Sequence, residues 1–330
     1  MVFLTPMPTR RPLACLCAAL LVAAATALAP GAAGRGASPT CFGKPATIVG
    51  TPGPDSIDGT PAADVIVTGG AHDVVDAGGG NDRVCLRGGD DRARGGQGDD
   101  RLAGGAGSDL SITGGPGADT QLGGAGDDNV GTGPIGGEGS FTEAGEDVMR
   151  GGPDDDQVIG GTGRDGVNGD AGRDDVDGGS GNDRFVRGGA GADSLVDYHE
   201  TMSGGPGPDV ILAADLAHAA APSRLLGGGG DDRLTAFDEA SDTLHGGVGD
   251  DRLNAAFGDG ADELFGGPGA DRLSGGDGAD LCNGGPGADE CDGGAPDAAP
   301  DPDVCTACER SSSCTPAAAY RRSRGEPAHR

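Results

Sequence analysis

Gly95-Gly96-Gln97-Gly98-Asp99-Asp100-Arg101-Leu102-Ala103 and Gly104-Gly105-Ala106-Gly107-Ser108-Asp109-Leu110-Ser111-Ile112 are consecutive copies of one nine-residue unit. Each opens with Gly-Gly-x-Gly-x-Asp and closes with a short stretch holding an apolar residue, Leu102 in the first and Ile112 in the second. Glycines in the first four positions permit backbone angles closed to other residues, so the chain can turn tightly and direct its carbonyls inward. The sixth-position Asp adds a carboxylate to the end of that turn. The last three residues alternate, with the middle one typically apolar, as in a very short half-buried strand. One unit therefore reads as one loop plus one strand.

The unsubstituted motif recurs at 13 places, beginning at Gly95, Gly104, Gly114, Gly123, Gly160, Gly178, Gly188, Gly204, Gly227, Gly246, Gly266, Gly275 and Gly284. A repeat that dense decides the architecture. Imposing the phase extends it. From Gly50 to Ile112 seven copies follow without a gap, with Asp55, Asp64, Asp73, Asp82, Asp91, Asp100 and Asp109 in sixth position. The stretch Cys41 to Val49 fits one further frame, with Ile48 at the apolar position but Ala46 in place of Asp, and reads as a cap. After an inserted Thr113 come copies with Asp119 and Asp128. Thr142 to Val186 forms a second run, with Asp147, Asp156, Asp165, Asp174 and Asp183 in phase. Asp193, Asp209, Asp232, Asp242 and Asp251 lie in copies separated by spacers. Phe257 to Asp292 carries Asp262, Asp271, Asp280 and Asp289.

Of 330 residues, 70 are Gly, seven Phe, two Tyr and none Trp, so the large side chains of an ordinary globular core are scarce. Acidic residues outnumber basic ones 53 to 23 and the formal charge is −30, which argues against nucleic acid as a partner. One inward Val, Ile or Leu per nine ordered residues falls well short of the conformational entropy lost on folding. Ladder hydrogen bonds between stacked strands recover part of that deficit, yet stacking leaves rows of Asp facing one another. A cation removes the repulsion and adds ligation energy. Calcium suits a site of carboxylates and backbone carbonyls, because it takes 6 to 8 oxygen ligands in flexible geometry. Zinc would need Cys or His, and the five His are not regularly placed. Magnesium holds on to its water.

These repeats resemble the RTX, or haemolysin-type, calcium-binding nonapeptide family, over about Cys41 to Asp292. The resemblance implies an all-β fold: a right-handed parallel β-roll with two repeats per turn, so that repeats 18 residues apart stack on one edge and each site forms between neighbouring loops of that edge. Asp55, Asp73, Asp91 and Asp109 would then line one edge, and Asp64, Asp82 and Asp100 the other. The metal candidates continue through Asp119, Asp128, Asp156, Asp165, Asp174, Asp183, Asp193, Asp209, Asp232, Asp251, Asp262, Asp271, Asp280 and Asp289, with multiple Ca2+ ions as the cofactor. Ala71 and Asp154 replace loop glycines, so their own sites depart from the pattern.

Residues 1–33 read as an export signal: Arg10 and Arg11 precede an apolar stretch, Leu13 to Ala29, too short for a membrane span and followed by small residues suited to cleavage. The organisation expected is signal 1–33, first roll segment with its cap 41–131, interruption 132–141, second roll segment with inserted loops 142–292, and a flexible Cys-containing tail 293–330. Cys41, Cys85, Cys282, Cys291, Cys305, Cys308 and Cys314 remain after the signal, an odd number, so one is left over from disulfides. A Cys41–Cys85 bond is one candidate. Cys282 and Cys291 fall on opposite sheets, and bonds to Cys305, Cys308 or Cys314 are the alternative to pairing them directly. The recurrent Asp-Arg pair reads as an outward Arg balancing nearby carboxylates, and Asp197-Tyr198-His199-Glu200 as a solvated loop. Hydrolase, metalloprotease and P-loop motifs are missing. The expectation is a secreted, extracellular, non-enzymatic calcium-binding protein with a structural or adhesive role. Its partners would be calcium and extracellular glycan or cell-surface components. The alternative is an accessory module for a separate secreted polysaccharide-acting enzyme or protease.

Overall fold

Each copy folds as its own alternation dictates, a glycine loop followed by a strand of two to six residues. The computed structural model describes residues 38–131, 144–197, 201–213, 222–237, 239–255, 260–294, 303–312 and 315–316. All its strands lie in the unit Pro39–Arg330. Successive strands alternate between two sheets, so each strand pairs in parallel with the strand two repeats on. Arg83–Gly88 pairs with Arg101–Ala106 in the register Val84↔Leu102, and Val74–Gly78 pairs with Arg92–Arg94 in the register Val75↔Ala93. Among the described residues this gives one 14-stranded sheet, from Ser56–Thr60 to Arg310–Ser312, and one 15-stranded sheet, from Ile48–Val49 to Thr315–Pro316. The chain is thus an all-β parallel β-solenoid, consistent with a β-roll. No described helix is long and apolar enough to cross a membrane.

The eighth position of each copy points between the sheets and makes the core. On one sheet Val75, Ala93, Ile112, Val130, Val158, Val176 and Leu195 stack in register, and on the other Ile66, Val84 and Leu102 lead to Met149, Val167 and Val186. The second ladder is broken once. Between Leu102 and Met149 stands Gln121, fully buried, with neither amide atom hydrogen-bonded. The apolar core divides at the same level, one cluster ending at Ile112 and the other beginning at Val130.

Insertions leave the ladders intact. The expected interruption lies outside the described residues, and both ladders step across it by 28 residues, Gln121↔Met149 and Val130↔Val158. The extra residue expected at Thr113 is Leu110 instead. Ile112, not Ser111, pairs with Ala93, which leaves Leu110 43% exposed as the bulged residue. The reason is burial: only this register puts Ile112 inside, since a slip of one residue would turn it out and Ser111 in. Past 292, Val304–Thr306 and Arg310–Ser312 extend both sheets.

A hairpin of Thr40–Cys41 and Lys44–Pro45 closes the N-terminal end, tied by the Cys41–Cys85 disulfide. Near the other end Cys291 is bonded to Cys308 across 17 residues. Cys305 is also disulfide-bonded, and among the described residues Cys282 is a buried free thiol. Cys282 and Cys291 do fall on opposite sheets, paired in register with Cys305 and Ser311 respectively.

Candidate metal centre

The sixth-position Asp residues form two rows, one along each edge of the roll, built by a single repeated hydrogen bond. The backbone N–H of each Asp donates to Oδ1 of the Asp one turn later, as Asp55 does to Asp73 (2.8 Å), Asp73 to Asp91 (2.7 Å) and Asp91 to Asp109 (2.9 Å). That row continues through Asp128, Asp156, Asp174, Asp193, Asp209, Asp232, Asp251 and Asp271 to Asp289. The opposite row runs Asp64, Asp82, Asp100, Asp119, Asp147, Asp165, Asp183. It resumes at Ser223, which stands where an Asp would, and passes Asp242, Asp262 and Asp280 to Asp303.

Every candidate carboxylate from the sequence thus lies in one of these rows. Three further members were not among the metal candidates. Asp147 and Asp242 carry the same phase. Asp303 lies beyond the last regular copy, and its only sequence signal is Cys305 two residues on, at the inward position. Ala71 and Asp154 keep the loop conformation of the glycines they replace, at φ 109° and 86°, and leave Asp73 and Asp156 in line. Left-handed angles at non-glycine residues cost about 1–2 kcal/mol each. Asp197, expected in a solvated loop, is instead 1% exposed at the end of strand Ser194–Asp197, while Tyr198, His199 and Glu200 lie outside the described residues.

The backbone bond occupies Oδ1 and leaves the second oxygen. Oδ2 of Asp73, Asp91, Asp109, Asp128 and Asp156 on one edge, and of Asp82, Asp100, Asp119, Asp147 and Asp165 on the other, is buried without a hydrogen-bond partner. Oδ2 of Asp100, Asp109, Asp119, Asp128 and Asp156 lies over the first-position glycine of its own copy, Gly95, Gly104, Gly114, Gly123 and Gly151. A Cβ at Gly123, for instance, would stand 2.6 Å from Asp128 Oδ2 and 2.7 Å from the carbonyl oxygen of Gly151 in the next turn. The fourth position repeats the pairing across turns. At Gly117 the nearest oxygens are the carbonyl of Gly98, one turn earlier, and Asp119 Oδ1 at 3.3 Å; at Gly163 they are the carbonyl of Gly145 and Asp165 Oδ1 at 3.1 Å. The glycines therefore serve two purposes. At Gly95 the missing side chain leaves room for Asp100 Oδ2, whereas Gly96 and Gly98 supply φ of 109° and 125°.

Burial without a counter-charge pushes these carboxyls up: Asp82 and Asp91 to about 6, Asp100, Asp109, Asp119, Asp147 and Asp165 to about 7, and Asp156 to about 8. Desolvation is the largest cause. The backbone N–H opposes it, and the neighbouring carboxylate of the row, such as Asp82 beside Asp100, adds to it. Ionising such a row leaves buried charges unsatisfied and is costly, the more so as turns repeat only about 4.8 Å apart.

A hard cation fits this donor set. Oxygen is the only ligand type on offer, carbonyls and carboxylates alternate along each edge, and adjacent turns contribute to the same space. Among the described residues no three acidic, His or Cys side chains converge, so side chains alone do not complete a shell and the loop carbonyls must supply the rest. Bound calcium would neutralise the carboxylates and join one turn to the next; the Asp residues and loop carbonyls would hold it.

The family model of the RTX calcium-binding nonapeptide repeat matches residues 49–84, 87–110, 111–130, 141–167, 150–185, 227–260 and 258–291. No curated protein matches the chain. With more than half of its length matched by that model, the chain belongs to the RTX calcium-binding nonapeptide repeat family, whose repeats bind multiple Ca2+ ions.

Proposed function

We propose that this is an exported, non-enzymatic protein whose calcium-loaded roll serves as a structural or adhesive element outside the cell. The observation that carries the reading is the pair of buried carboxylate rows, which extend from Asp55 to Asp289 and from Asp64 to Asp303 and so commit almost the whole described chain to cation binding. Such a device suits a compartment rich in calcium, where extracellular modules work with dissociation constants of about 10⁻⁴–10⁻³ M. The Cys41–Cys85 and Cys291–Cys308 disulfides support the same compartment, since they persist where thiols are oxidised. The export signal proposed for residues 1–33 lies outside the described residues.

Fractionation of cells expressing the full chain tests this. The expected result is a processed protein outside the cytoplasm, beginning near residue 34, that is retained at the cell surface in calcium and released by a chelator. An intact chain confined to the cytoplasm would contradict it.

A further inference from the structure

The regular edge has one carboxylate per loop, and Gly178 departs from this. At Gly123 the two oxygens nearest the missing Cβ are Asp128 Oδ2 and the carbonyl of Gly151. At Gly178 the first-position residue of the next turn is Asp197, not glycine, and its side chain turns into the loop. A Cβ on Gly178 would stand 2.6 Å from Asp197 Oδ2 and 2.8 Å from Asp183 Oδ2. A second carboxylate thus occupies the place of a neutral carbonyl.

Both groups are deeply buried, Asp183 at 4% and Asp197 at 1% exposure. Asp183 Oδ1 accepts from the N–H of Asp165 at 2.8 Å, while its Oδ2, the atom facing Gly178, has no hydrogen-bond partner. Asp177, just before Gly178, adds negative potential, although its own Oδ1 accepts from the N–H of Gly179 at 2.9 Å. The register supplies an internal comparison. Asp197 pairs with Ala213, which pairs with Ala236, so the same ladder holds a methyl group at the next two levels. The fold therefore does not need an acid there.

We propose that Asp197 joins Asp183 in one divalent-cation site that differs from the other repeat sites in holding two carboxylates at one loop. Affinity for calcium rises with the number of charged ligands in a rigid site, so this site fills before the regular ones. It lies at the level where the edge row loses its regular succession of Asp, between Asp183 and Ser223, and anchors the roll there. The inference rests on the family's calcium chemistry but not on the extracellular role.

The test is calorimetric titration of the metal-free full chain with calcium, comparing the unsubstituted protein with Asp197→Asn and Asp197→Ala. Asparagine preserves the shape and removes the charge; alanine reproduces the neighbouring levels of the ladder. The expected result is an early tight phase, at least tenfold tighter than the rest, that both variants lose as this site falls to the affinity of the others. Their far-ultraviolet circular dichroism at saturating calcium should match the parent. A tight phase retained in either variant, or a parent without one, would overturn the assignment. A parent that binds no calcium at all would overturn the repeat chemistry itself, a different and recognisable outcome.

Discussion

At the scale of single residues, each Asp in the rows balances burial against charge, and protons and calcium compete for the same oxygens. An Asp in an unfolded chain titrates near 3.9. In the metal-free roll burial raises Asp82 and Asp91 to about 6, Asp109 to about 7 and Asp156 to about 8. Because the folded values lie above the unfolded one, the protonated rows favour the fold, fully below about pH 4 and progressively less as pH rises through 6 to 8. The metal-free chain should therefore hold more β structure in mild acid than at neutrality. Circular dichroism in chelator from pH 4 to 9 is expected to show a loss of β signal centred between 6 and 8; a signal that grows with pH would contradict the account. Most of these residues were legible in the sequence, because a carboxylate every nine residues is a strong periodic signal. Asp197 was not, since it occupies a glycine position and only the register shows that its side chain turns inward.

At the scale of strands and loops, the register depends on which residue takes the inward slot. Most slots hold Val, Ile, Leu or Met, and their spacing made the two ladders readable. The exceptions follow burial rather than count. Leu110 bulges out so that Ile112 can enter, and Asp303 joins its row because Cys305 fills the slot two residues later. Gln121 is the opposite case, a polar side chain held inside by its neighbours in the ladder, Leu102 and Met149. Its unpaired amide opposes folding by about 1–3 kcal/mol. Gln121→Leu should raise the urea midpoint in saturating calcium by about that stabilisation and make the two core clusters unfold together. An unchanged or lowered midpoint would show that the amide has partners in solution. The disulfides were only partly readable: both cysteines of Cys41–Cys85 were in view as a pair, but choosing Cys308 for Cys291 needed the path of the chain after 292.

At the scale of the whole molecule, two long sheets enclose a core one side chain deep, flanked along both edges by carboxylates. The chain's formal charge of −30 works against compactness, and the core is too thin to overcome it unaided. The β-roll architecture could be anticipated because every repeat makes the same local choice and the choices reinforce one another along the array. The spacers could not, since their residues carry no phase, yet the ladders bridge them by steps of 16 to 28 residues. Bound calcium would supply the missing folding energy. A calcium titration of the chelator-treated chain at pH 7.5, followed by far-ultraviolet circular dichroism, tests it most directly. The account predicts little β signal without metal and a cooperative gain by millimolar calcium; a chain already fully β in chelator, or one unchanged by millimolar calcium, would contradict it.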